Sequence, residues 1–183
     1  MILLFTTETS NLWNPSLDDY DIKQPVMLKL SYKIINDSNL HILKKRDLYV
    51  SIPDGLFLSP QIVKIHGITR GVLKDKGDHL NQVLHTFISD CVESNITTIV
   101  SHSLDFHMKV LKNSLYHNGK YDYFMKDYDS FCLSENLNHI TKIPSSTDDY
   151  KFPSLSEVYH HLFKKDISKD KIDALYDILK EIC

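Results

Sequence analysis

The sequence predicts an α/β domain built on a mixed sheet. Three observations carry this. Three extended apolar segments follow one another between Met1 and Ile52, and the hydrophobic period then changes to that of a helix at Leu80. After that, a short β-branched segment, Thr97 to Ser101, separates two helical stretches. At 183 residues, the chain fits a single domain over 1–183. A composition that is 42% hydrophobic and 25% charged is that of a soluble globular protein. With 21 basic against 24 acidic side chains, net −3, the chain is not one that coats nucleic acid throughout; a local groove for a strand end stays open to it.

In chain order, Met1 to Thr7 reads as a buried strand. Its apolar run, Met1 to Phe5, is far short of the ~20 residues that span a bilayer and lacks the basic start of a signal peptide. Asn14-Pro15-Ser16 and Asp18 to Asp21 form a loop. Met27, Leu28, Leu30, Tyr32, Ile34 and Ile35 make a second strand, Asp37-Ser38-Asn39 a turn, and Leu40 to Ile52 a third strand stopped by Pro53-Asp54-Gly55. Leu80, Val83, Leu84, Phe87, Ile88 and Cys91 carry the stripe of an amphipathic helix. Leu104 to Leu115 reads as another helix, and Phe131 to Leu133 as a short edge strand. Ile143 to Pro153 is a loop, and Ser154 with Glu157 forms a capping box for a helix through Phe163. Ser168 opens the last helix, with Ile172, Leu175, Ile178, Leu179 and Ile182 as its buried stripe.

Cys91, Cys132 and Cys183 are odd in number and none falls within CxxC distance, so the expectation is a reducing intracellular compartment, cytoplasmic or nuclear, and no membrane. The richness in Lys, Ile, Asn, Asp and Tyr is that of an AT-rich genome, and the expectation extends to a virus-encoded protein in a host cell.

Three segments in this order, Phe5-Thr-Thr-Glu-Thr-Ser-Asn-Leu12, Ile65-His-Gly-Ile-Thr69 with Val100-Ser-His-Ser-Leu-Asp-Phe-His107, and Lys151-Phe-Pro-Ser-Leu-Ser-Glu-Val-Tyr159 with Ile172-Asp-Ala-Leu-Tyr-Asp177, cover nearly the whole chain. They resemble the DEDD superfamily of 3′–5′ exonucleases: its F-D-x-E-T-T-G-L strand end, its I-H-G-I-T stretch and V-x-H-N-x-x-F-D, and its P-x-L-x-x-L-Y and H-x-A-L-x-D. The resemblance implies a ribonuclease-H-like fold: three antiparallel N-terminal strands plus parallel strands, flanked by helices. It also implies two divalent metals held by four carboxylates, with a histidine as general base. Against that pattern the acid positions hold Thr6, Glu8, His107 and Asp177, and the base position holds Ile172. Two metals carry +4, and Glu8 with Asp177 supplies −2, so efficient two-metal cleavage is not expected. No cofactor is favoured, and Mg²⁺ or Mn²⁺ held by Glu8 and Asp177 is the residual option, with Asp173 or Asp105 as a stand-in ligand.

The resemblance also assigns a pocket for a 3′-terminal nucleotide to Leu12, His66 and Ile68, with Trp13 as a stacking surface. Asn11 stands at a glycine position and tolerates positive φ. His102 reads as structural, His107 as a satisfied polar residue or a soft ligand, and Asp173 with Asp177, taken alone, as a solvent face. The Lys164-Lys165 and Lys169–Lys171 cluster reads first as a solvated face and second as a phosphate track. The resulting expectation is a catalytically inactive exonuclease-fold module that binds a nucleic-acid 3′ end (DNA or RNA) or a protein. The rivals are a working metal-dependent 3′–5′ exonuclease with altered ligands and a purely structural partner with a filled cleft.

Overall fold

The computed structural model describes residues 1–124, 127–146, 149–168 and 170–183; Thr147 and Asp148 of the expected loop and Lys169 of the basic cluster lie outside the described residues. The chain begins with β1 (Ile2–Thr9), β2 (Met27–Ile35) and β3 (Ile42–Val50). Next come α1 (Pro60–His66), α2 (Arg70–Lys76), β4 (Gly77–Asp78), α3 (Leu80–Glu93), β5 (Thr98–Ser101) and α4 (Leu104–His117). It closes with α5 (Tyr121–Phe124), β6 (Asp129–Cys132), α6 (Leu133–Asn136), α7 (Asn138–Thr141), α8 (Leu155–Phe163) and α9 (Lys171–Ile182).

The strands form one mixed sheet in the order β4-β3-β2-β1-β5-β6. β1, β2 and β3 are the expected antiparallel meander, while β5 pairs with β1, and β6 with β5, in parallel. Alternation in β1 sends Leu3 and Phe5 to one face, where they meet Leu84 and Phe87 of α3 and Leu111 of α4. Leu4 goes to the other face and meets Tyr159 of α8 with Ile172, Leu175 and Ile178 of α9. The capping box at Ser154 is present: its hydroxyl accepts the Glu157 N–H while the Glu157 carboxylate accepts the Ser154 N–H.

The structure corrects some boundaries. The third strand ends at Val50, and the last helix starts at Lys171 with Asp170, not Ser168, at its N-cap. α1 and α2 occupy a stretch with no legible stripe, because seven residues each are too few to show a helical period. Between them, Gly67 takes the left-handed conformation (φ 73°) that a side chain disfavours, and the Thr69 hydroxyl accepts the Val72 N–H to open α2. Among the described residues no helix is long and apolar enough to cross a membrane.

The face under α9 is unusual for a sheet interior. In register with Glu8, Thr6 and Leu4 of β1, strand β2 presents Lys29, Ser31 and Lys33. Both lysines are buried and paired: Lys33 Nζ lies 2.7 Å from Asp173, which also takes Lys45 at 2.8 Å, and Lys29 Nζ lies 2.7 Å from Asp47 and 3.7 Å from Asp170. Asp173 is therefore not on a solvent face; the cations beneath it draw it onto the sheet. The first turn of α9 adds these ion pairs to an apolar contact that runs along the helix from Ile172 to Leu179.

Two outcomes follow from this packing. Asp173→Ala strands the buried Lys33 ammonium, with the Tyr176 ring 4.2 Å away as its remaining support, and should cost about 3 kcal/mol, read as a lower urea midpoint at unchanged m. A Cβ on Gly77 would run into the Leu73 carbonyl oxygen and lie 2.6 Å from the Ser51 nitrogen. Both are backbone atoms, so Gly77→Ala should cost about 1–3 kcal/mol by the same measurement.

Candidate functional site: a cleft where β1 and β5 end

β1 and β5 run in the same direction and finish side by side, tied by the Ser101 hydroxyl, which donates to the Phe5 carbonyl at 2.7 Å. Beyond β5 the chain turns into α4, and on the opposite side Lys151 to Ser154 leads into α8. Between these walls lies a cleft of about 910 Å³ with Thr6, Thr7, Glu8, His102 and His107 along it and Lys171 at one side. A smaller cavity of about 260 Å³, lined by Lys29, Ile65, His66, Ile68 and Ile172 among others, adjoins it at Thr6, Glu8 and Lys171.

Several side chains at the cleft floor are already engaged, whereas the buried His102 Nδ1 has no hydrogen-bond partner among the described residues. Thr6 is buried. His107, one turn into α4, is hooked onto β1: its Nδ1 accepts the Thr7 N–H at 3.0 Å and lies 2.9 Å from Thr7 Oγ1. Burial, and then the nearby Lys171 ammonium, push its pKa down to about 3, so the ring is neutral at physiological pH with its free lone pair in use. Ile172 is buried in the core under α9. Glu8 Oε1 lies 2.6 Å from Lys171 Nζ. Asp177 sits six residues beyond Lys171 on the same helix, about 9 Å along its axis, and lines neither cavity; its Oδ2 accepts from the Tyr159 hydroxyl at 3.4 Å. The structure thus brings Thr6, Glu8 and His107 together and leaves Asp177 outside their cleft. Asp105 is exposed in the first turn of α4 and pairs with Lys109 at 2.9 Å. Among the described residues no three His, Cys, Asp or Glu side chains stand where they could share a metal ion. A threonine, a carboxylate paired to an ammonium and a histidine with its lone pair taken do not fit a pair of hard divalent cations.

The segment Ile65–Thr69 has a local structural account. His66 Nδ1 accepts the Ile68 N–H at 2.9 Å while its Nε2 lies 3.3 Å from the Thr9 carbonyl, tying α1 to the end of β1; burial lowers its pKa. Ile68 is buried with Leu28 and Leu73. Ile65, in contrast, is exposed. Leu12 is 60% exposed and lines neither cavity. Trp13 differs from the expected open stacking surface: it packs partly against the main core and donates its indole N–H to Asp19 at 3.1 Å. Asn11 is not at positive φ; its Oδ1 accepts the Leu12 N–H instead.

Three features of the cleft lie outside the sequence-based site. Lys171, whose cluster reads first as a solvated face and second as a phosphate track, is exposed and points at Glu8, because α9 is rotationally fixed by Asp173 and Ile172. Phe152, 64% exposed, stands on the cleft wall in a segment that carries the resemblance, though the resemblance assigns Phe152 itself no role. Beside it, Lys151 lies 2.6 Å from Glu157; with the Ser154 backbone, it draws the Glu157 pKa down to about 2 and locks that wall. The signal that pointed toward Lys171 is its place in the basic cluster whose second reading is a phosphate track.

The depressed histidines set the acid response. His66, His102 and His107 all titrate lower in the fold than in an unfolded chain, each first through burial. The unfolded state then binds more protons below about pH 6.5, and stability falls as pH falls. In His107→Gln the pH dependence of unfolding free energy between about pH 6.5 and pH 4 should be shallower, by at most about 1.4 kcal/mol per pH unit.

Neither a family model nor a curated protein sequence matches the chain. Its backbone is similar to solved structures of exonuclease I. They include the E. coli protein in complex with a dA16 oligonucleotide (TM-score 0.70, 17% identity) and a moderately thermophilic exonuclease I from Methylocaldum szegediense (TM-score 0.74, 11% identity). A third is an ExoI/SSB-Ct complex (TM-score 0.70, 18% identity). Each match covers 99% of this chain and 40% of the other, so the chain spans about two fifths of the length of the proteins it resembles. At such identities the likeness is one of fold: a ribonuclease-H-like, mixed α/β exonuclease fold with its cleft where β1 and β5 end.

Proposed function

We propose that this chain is a binding module that holds the end of a single-stranded nucleic acid in the β1–β5 cleft without cutting it. The observation that carries this reading is the floor of the cleft. Thr6, His107 and Ile172 occupy the positions where a two-metal nuclease of this fold needs acids and a base, and each is committed to packing or to an internal hydrogen bond. In-line hydrolysis needs an activated water and a stabilised leaving oxygen. Here His107 has no free lone pair on Nδ1 with which to take a proton from water, and Ile172 cannot take one at all.

Features that serve binding are present in the same place. The cleft is open, Phe152 offers an exposed aromatic face on its wall, and Lys151 and Lys171 stand there beside the acids Glu8, Asp105, Glu135 and Glu157. Stacking on side chains of this kind is sequence-tolerant, since every base has a π-face. Among the structures of similar fold, one holds a dA16 oligonucleotide. That likeness supports a strand end as the ligand here.

Incubation of 5′-labelled single-stranded DNA and RNA with the protein in Mg²⁺ or Mn²⁺ should show no shortening. Anisotropy at low salt should show binding that Phe152→Ala weakens by roughly five- to a hundredfold, the usual range for one base–aromatic stack. Shortening that disappears in Glu8→Gln would establish the altered-ligand nuclease instead, and absence of binding to either strand would leave a protein as the partner.

A further inference from the structure

We infer that Lys171 is the resident cation of this cleft: its ammonium grips a phosphate oxygen of the bound strand directly, so that the hold needs no divalent metal. The inference rests on the reading of the cleft as a strand-end site and specifies what holds the phosphate there.

The argument is geometric. Lys171 is not a loose surface lysine. It is the first residue of α9, whose rotation is set by Ile172 and Leu175 in the core and by Asp173 on Lys33 and Lys45. From that base Nζ reaches 2.6 Å from Glu8 Oε1. A cation bound by Glu8 would stand in the same neighbourhood. The side chain is 45% exposed and borders both cavities, so part of the ammonium faces open space where a ligand can approach. An ammonium carries three donors, of which a single carboxylate oxygen takes one. Lys29 also lines the smaller cavity, but Asp47 at 2.7 Å and Asp170 at 3.7 Å already meet its charge, which leaves Lys171, among the described residues, as the cation free to take a ligand there. A phosphate diester supplies the complementary anionic oxygens, and a hydrogen bond between charged groups is roughly twice as strong as a neutral one.

This arrangement reverses the role of Glu8. In a metal-held site, Glu8 is a ligand and its loss weakens binding. Beside a lysine it competes with the phosphate for the same ammonium and repels the strand, so its loss strengthens binding.

Affinity of wild-type protein for a 5′-fluorescein-labelled oligothymidylate should agree within about threefold in EDTA and in MgCl₂, the residue of difference being ordinary screening. Lys171→Ala should weaken binding roughly ten- to hundredfold and lower the slope of log affinity against log salt by about 0.7. Lys171→Arg should retain affinity, and Glu8→Gln should tighten it several-fold. Should Lys171→Ala fail to fold, as judged by its melting transition, Lys171→Gln serves the same purpose. Binding by wild type that requires MgCl₂, an unchanged affinity in the lysine variants, or weaker binding in Glu8→Gln would overturn the assignment while leaving the strand-end reading in place. No binding by wild type in either buffer would defeat the strand-end reading itself.

Discussion

Burying two lysines inside a sheet–helix interface is the constraint from which the site follows. An ammonium left unpaired there costs several kcal/mol, so Lys29 and Lys33 must find anions. β2 fixes both on the face under α9, because odd positions on that strand point there. Asp47 comes from the neighbouring strand, but Asp170 and Asp173 come from the last helix. Their pairing determines how α9 is rotated and where it starts. With Asp173 down on Lys33, Ile172 is turned into the core and Lys171 toward the end of β1. The place of Lys171 beside Glu8 is thus a consequence of how the helix is seated.

The same constraint explains what the sequence could and could not reveal. The meander, α3, α4, the capping box at Ser154 and the stripe of α9 are local patterns, legible from period and punctuation alone. Lys45 and Asp173 are 128 positions apart, and no periodicity joins them. Asp173 read alone looks like a solvent residue because polarity marks only that a side chain needs a partner, and water is the default. Trp13 illustrates the converse error: proximity to Leu12 in sequence suggested a shared surface, whereas its indole N–H found Asp19 and its ring found the core.

Motif letters also turn out to have more than one physical reason. In Ile65–Thr69, histidine joins two elements through both ring nitrogens, glycine takes a left-handed turn, the second isoleucine is buried and threonine caps the next helix. A stretch that satisfies so many local demands persists for folding alone. A resemblance carried by it therefore speaks to architecture, which agrees with a TM-score of 0.70 at 17% identity. Chemistry rests on the other positions, and those are the ones where Thr6, His107 and Ile172 stand.

What a cation does in such a cleft depends on its charge and its coordination. A divalent ion lowers the pKa of a bound water and can stabilise an oxygen that is leaving; two of them do both at once. An ammonium attracts an anion and donates hydrogen bonds to it, but it polarises water far less. Lys171 beside Glu8 therefore keeps the part of the electrostatics that positions a phosphate and lacks the part that makes a nucleophile. His107 removes the remaining route, because a neutral ring with its Nδ1 lone pair held by Thr7 offers no base there at physiological pH. Attraction without activation is what the proposed strand-end reading assigns to this arrangement, in a cleft of about 910 Å³ bordered by Lys171 and Phe152.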